Sequence, residues 1–151
     1  MGMGRGPGFR AAAVVAMLLG VSAGVGAHHS FAMYDMTKTE TLTGRLARFV
    51  PGANHAQIYF ELVDADGTPV PGDDGKPVVW GVEMGPAAQV ARQGITVKDF
   101  PPGTILTVTL HPLRNGNAFG SLDGAIVKCG MEMPAGGCTA ETGEVIAGRN
   151  N

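Results

Sequence analysis

The sequence has little of what usually announces a function. In 151 residues there are two cysteines, one tryptophan and 16% charged side chains, and 13 Asp and Glu outnumber 11 Lys and Arg. Two cysteines allow one disulfide and no more. A shortage of basic residues argues against nucleic acid or anionic lipid as a partner, because both demand a positive surface. Ser30 and Ser121 lack a Gly-x-Ser-x-Gly setting, so hydrolase chemistry has no support. Asp64, Asp66, Asp73 and Asp74 fall in Gly/Pro-rich turns without the spaced ligands and closing glutamate of a calcium loop. The sequence offers no catalytic residue.

What is present begins with an export pattern. Arg5 and Arg10 precede an apolar run over residues 11–25, followed by the small-residue site Val25-Gly26-Ala27. Gly20, Ser22, Gly24 and Gly26 break the run, which is shorter than the ~20 residues a spanning helix needs. Residues 1–27 are therefore predicted to be a signal peptide, leaving no integral membrane segment and a periplasmic or secreted protein. Val21-Ser22-Ala23 offers a second cleavage site, which would leave Gly24 first. Cleavage after Ala27 leaves 124 residues, enough for one domain, and removes both signal arginines, so 9 basic face 13 acidic residues for a formal charge of −4. An oxidising compartment favours a Cys129–Cys138 disulfide closing a short loop. Cys129, Met131, Met133 and Cys138 also form a possible soft Cu(I) donor set.

The mature chain reads as short strands. Residues 39–50 alternate Leu42, Gly44 and Leu46 with Thr41, Thr43 and Arg45, the period of a half-buried strand. Residues 57–63 and 78–83 form a second and third, separated by a Pro- and Gly-rich loop. Gly85-Pro86 introduces a two-turn helix over 87–93 that Gly94 can close. A fourth strand spans 104–110, Asn115-Gly116 suits a type I′ turn, and a fifth runs over 119–128. The order β-β-β-α-β-β predicts a mainly β fold, a small five-stranded OB-like Greek-key barrel with one short helix between strands three and four. The alternative is an open β-sandwich or meander. Residues 28–38 would form an N-terminal segment, 39–128 the barrel, and 129–151 the disulfide loop and a flexible tail. Phe31, Tyr34, Phe49, Tyr59, Phe60, Trp80 and Phe119 are expected in the barrel interior, and Met33 and Met36 in core gaps, with soft donation to Cu(I) near the histidines as the alternative for the two methionines.

Six blocks in fixed order carry a resemblance: Ala27-His28-His29-Ser30-Phe31-Ala32-Met33-Tyr34-Asp35, Leu42-Thr43-Gly44, Asn54-His55-Ala56, Trp80-Gly81-Val82-Glu83, Arg92-Gln93-Gly94 and His111-Pro112-Leu113-Arg114-Asn115-Gly116. They resemble a family of small exported bacterial proteins catalogued as domain of unknown function 6152. The resemblance covers roughly residues 28–127 and implies a single secreted β-rich domain, with no activity attached. The chain departs from the family at Gly52-Ala53-Asn54-His55, where Asn-Pro-His is common, and in the loop between the cysteines.

All four histidines survive processing, and all lie outside the predicted strands. His28 and His29 would begin the mature chain, His55 precedes the second strand and His111 follows the fourth. A free α-amine and imidazole at His28, with one imidazole from His55 or His111, would suit Cu(II), which prefers tetragonal nitrogen and oxygen donors. Zinc is the lesser candidate for His28, His29, His55 and His111, since it wants four protein ligands, or three and a water. The sequence thus points to an exported binding module with copper as its candidate cofactor. The rival is a metal-free OB-like module that binds a small ligand or an envelope protein. Glu83 is read as a solvent-facing strand residue.

Overall fold

The computed structural model describes Met1 and residues 31–146. The expected signal segment, both cleavage sites, His28 and His29 lie outside the described residues. The strands are β1 (Glu40–Val50), β2 (Gln57–Leu62), β3 (Val79–Glu83), β4 (Ile105–Pro112), β5 (Phe119–Lys128) and β6 (Glu144–Ile146), with helix α1 (Ala87–Arg92) between β3 and β4. Antiparallel pairs link β3, β2, β1, β4 and β5 in that order, and a parallel β3–β5 pairing closes the ring. A closed five-stranded barrel results, with β6 outside the ring. Closure rules out the open sandwich or meander.

The alternation read from the sequence decides which side chains fill the barrel. Leu106, Val108 and Leu110 of β4 are fully buried. Thr107 and Thr109 between them face outward, where their hydroxyls meet those of Thr43 and Thr41 on β1 at 2.7 and 2.9 Å. From β2 and β3, Ile58, Phe60 and Val82 enter the same core. α1 caps one end through Val90, with Ala87 packed against the cluster. Gly44 faces inward on β1, and the Phe60 ring occupies the space its side chain would need.

Several expectations change. Phe60 is fully buried, and Phe49 and Trp80 pack partly against the core, but Tyr59 and Phe119 take the outward parity of their strands. Phe31, Met33 and Met36 are exposed rather than core-filling, at 51, 51 and 45%. The interior is instead completed by Phe100, which the sequence reading did not single out. The type I′ turn is excluded: it needs positive φ at two central residues, and among the described residues no non-glycine residue has one. Gly116 donates its N–H to Leu113 O at 3.2 Å, with its own φ at +78°.

Residues 129–146 are held to the barrel. Cys129 and Cys138 form the expected disulfide. Its loop is pinned by Arg45 Nη1 donating to Met131 O at 3.1 Å and by Thr107 Oγ1 donating to Cys138 O at 2.8 Å. The segment expected to be a flexible tail carries β6, which pairs with β5 from Ile126 to Lys128 and buries Ile146. Backbone pairing and one buried isoleucine outweigh its turn-like composition.

Candidate functional site

The inward burial of Trp80 and Val82 sends Glu83 to the outer face of β3. Register then places Glu83 opposite Gln57 of β2 on one side and Ser121 of β5 on the other, and Ser121 opposite His111 of β4. One outer row, Gln57–Glu83–Ser121–His111, crosses four strands. His55 joins it from the loop before β2. The buried Ala56 exchanges backbone hydrogen bonds with the β3 exit, donating to Gly85 O at 2.9 Å and accepting from Met84 N–H at 2.8 Å. That clamp sets the preceding residue over Glu83, with His55 Nδ1 3.3 Å from Glu83 Oε1. The imidazole is 45% exposed and the carboxylate 19%.

The strap formed by residues 31–38 reaches the same face. Asp35 N–H donates to Pro112 O at 2.8 Å, and Arg114 N–H donates to Met33 O at 3.0 Å, so the strap extends the ladder beyond Leu113. These bonds also explain why β4 runs on to Pro112: proline lacks a donor, but its carbonyl is used. His111 therefore lies inside β4 rather than after it. Tyr34, bridged to Leu113, is fully buried, and its phenol lies close to Glu83. Burial first, and then the Glu83 charge, push the phenol's pKa above its ordinary range. The carboxylate is near enough to act electrostatically, yet Tyr34 Oη meets no hydrogen-bond geometry with any partner among the described residues.

Removing that hydroxyl is expected to stabilise the protein. Tyr34→Phe keeps the ring and deletes a buried polar atom without a partner, so a gain of about 1 kcal/mol is expected at pH 8. A raised native pKa means the native state keeps a proton that the unfolded chain loses near pH 10. Wild-type stability is therefore full below pH 10 and falls as pH rises through the native phenol pKa. Urea denaturation at pH 8 and pH 11 checks both points: the advantage of Tyr34→Phe should widen at pH 11.

His111 is fixed differently. Its Nδ1 lies 2.7 Å from Lys38 O, and because a carbonyl can only accept, Nδ1 carries the proton. Nε2 faces Asp123 Oδ2 at 3.7 Å, beyond a hydrogen bond. The Lys38 carbonyl is presented by a turn organised on Asp35, whose Oδ1 accepts from Thr37 Oγ1 at 2.6 Å. That bond, above all, holds the Asp35 carboxyl below the usual range.

The structure thus sets His55 and His111 toward the two ends of one outer row, His55 facing Glu83 and His111 bonded to Lys38 O with Asp123 nearby. Two strand spacings, about 10 Å, separate Glu83 from His111 in the row. No three His, Cys, Asp or Glu side chains converge on a metal position among the described residues. Glu83, Asp123 and Tyr34 are the members the sequence reading missed. Trp80 and Val82 signal the outward parity of Glu83, whereas the partners of Asp123 and Tyr34 depend on register between distant strands. A groove of about 290 Å³ lies elsewhere, between β1, the end of β2 and the disulfide loop, lined by Thr43, Leu62, Asp64, Met133 and Cys138.

Among the described residues, no helix is long and apolar enough to cross a membrane. Comparison with curated proteins and with solved structures finds no match. A family model described as a family of unknown function (DUF6152) matches residues 15–122.

Proposed function

The chain belongs to that family of unknown function, and from this premise we propose that the mature protein is an exported module that binds a divalent metal, copper ahead of zinc, on its outer barrel face. The donors are His55 and Glu83, with the α-amine and imidazole of a processed His28 and help from His29. Tyr34 Oη carries the reading. A fully buried hydroxyl without a hydrogen-bond partner, close to the carboxylate that His55 faces, is a polar group that a bound ion and its water would satisfy. Reach is no obstacle: from Tyr34 back to His28 the chain spans six residues, at most about 20 Å. Nitrogen and oxygen donors with the ion part-exposed suit Cu(II). His111, its Nδ1 engaged by Lys38 and its Nε2 facing Asp123, stands apart from this centre. The disulfide agrees with an oxidising compartment.

The test uses untagged protein recovered from the periplasm, with its first residue established by N-terminal sequencing and intact mass. One equivalent of Cu(II) should bind. His28→Ala and His55→Ala should each weaken binding on the order of 100-fold, at least the loss seen when supporting residues of metal sites are removed. Sub-stoichiometric copper, or an unchanged affinity in His28→Ala, would end the reading. The groove beneath the disulfide loop favours a second reading, a metal-free module for a small ligand or an envelope protein. Ligand-induced NMR shifts confined to Thr43, Leu62 and Met133, with no copper bound, would select it.

A further inference from the structure

Three of the exposed large apolar side chains, Phe31, Met33 and Met36, fall within six residues of the strap. Their backbone is not loose. Tyr34 N–H donates to Phe31 O at 3.1 Å, Arg114 N–H to Met33 O at 3.0 Å, Asp35 N–H to Pro112 O at 2.8 Å and Lys38 N–H to Asp35 O at 3.0 Å. Tyr34, between the two methionines, is fully buried. The strap therefore holds two thioethers in solvent on a fixed frame, where leucine or a polar residue would serve solubility or packing as well. The two residues are separated by at most about 10 Å of backbone, and each methionine arm has three rotatable bonds, so both sulfurs can reach one ion. Neutral thioethers are poor donors to hard or borderline cations and select Cu(I).

We infer that Met33 and Met36 form a soft-metal site for Cu(I), next to the nitrogen and oxygen donors proposed for Cu(II) but chemically separate from them. The inference rests on the copper reading only for its biological sense, since the thioethers would bind without His28. The strap then presents donors for both oxidation states within a few residues. No electron transfer is implied by binding alone.

The experiment uses the full mature chain and two probes: Cu(I) under anaerobic competition with a chromophoric chelator, and Ag(I) as a redox-inert substitute. The variant Met33→Leu/Met36→Leu keeps the apolar surface and removes only the sulfurs, at exposed positions where folding is not at stake. Cu(I) and Ag(I) affinity should fall at least 10-fold, with the thermal midpoint and the Cu(II) electron paramagnetic resonance spectrum unchanged. The ε-methyl signals of Met33 and Met36 should shift together on one equivalent of Ag(I), while that of Met131, equally exposed at 53%, stays in place. Undiminished Cu(I) affinity in the double leucine variant, or an equal shift at Met131, overturns the inference. His28→Ala separates the two proposals: it should weaken Cu(II) binding on the order of 100-fold and leave Cu(I) binding intact. Loss of Cu(I) binding in the leucine variant of a protein that never bound Cu(II) would sustain this site and remove the other.

Discussion

Phe60→Ala is expected to destabilise the protein by about 4 kcal/mol, the cost of emptying a large buried aromatic site. For a domain of this size that corresponds to a fall of roughly 15 °C in thermal midpoint. Phe60 is fully buried on β2, opposite Leu46 of β1 and Trp80 of β3. The ring also lies in the place of a missing side chain at Gly44. That relation makes the prediction two-sided. Gly44→Ala should cost about 3 kcal/mol, because its Cβ would collide with the Phe60 ring and come within 2.7 Å of Glu61 O. Phe60→Leu should then recover part of the Gly44→Ala loss, since a leucine can withdraw from the clash, but not the part due to the backbone oxygen. A double-mutant cycle in urea measures this coupling. Strict additivity of the two losses would show that the glycine is not there for the ring.

The second large effect is expected at the disulfide. Cys129 and Cys138 are nine residues apart, and in the chain-entropy model closing so short a loop contributes about 3 kcal/mol. The double substitution to serine should lower the urea midpoint correspondingly, and reductant should do the same to the wild type. Native-state effects add to the chain entropy. The bridge fixes the loop whose carbonyls receive Arg45 and Thr107, and those bonds cover the outer face of β1 and β4. A loss below about 1 kcal/mol would mean that Arg45 and Thr107 hold the loop without the bridge.

The barrel was legible because its inward faces repeat at the period of a strand. The alternations in β1 and β4 predict both strands to within two residues, and Gly85-Pro86 with Gly94 brackets α1. Composition failed where pairing is decided elsewhere. β6 has three residues in a Gly- and Glu-rich stretch, and only its ladder with β5 and the burial of Ile146 make it a strand. The outer face was harder still. Aromatic character suggested burial for Tyr59 and Phe119, but parity turns them outward. Glu83 read as an ordinary solvent-facing residue because its neighbours His55 and Tyr34 come from a loop clamp and a strap, neither of which has a periodic signal. Met33 and Met36 read as core by the usual habit of methionine, and only the strap's hydrogen bonds set them in solvent.

The parallel seam between β3 and β5 joins residues 81–83 to residues 119–121, the first link between those strands, with α1 and all of β4 in between. The seam is not the longest closure the ring needs: Gly81 and Phe119 are 38 residues apart, whereas Glu40 and Leu110 in the β1–β4 ladder are 70 apart. The outer row that runs from Gln57 through Glu83 and Ser121 to His111 is stitched by this seam alone on one side. An open barrel keeps His55 beside Glu83 on the β2–β3 ladder and His111 near Asp123 on the β4–β5 ladder, toward opposite edges of one sheet. Only a ligand that spans both ends of the row needs the closed ring.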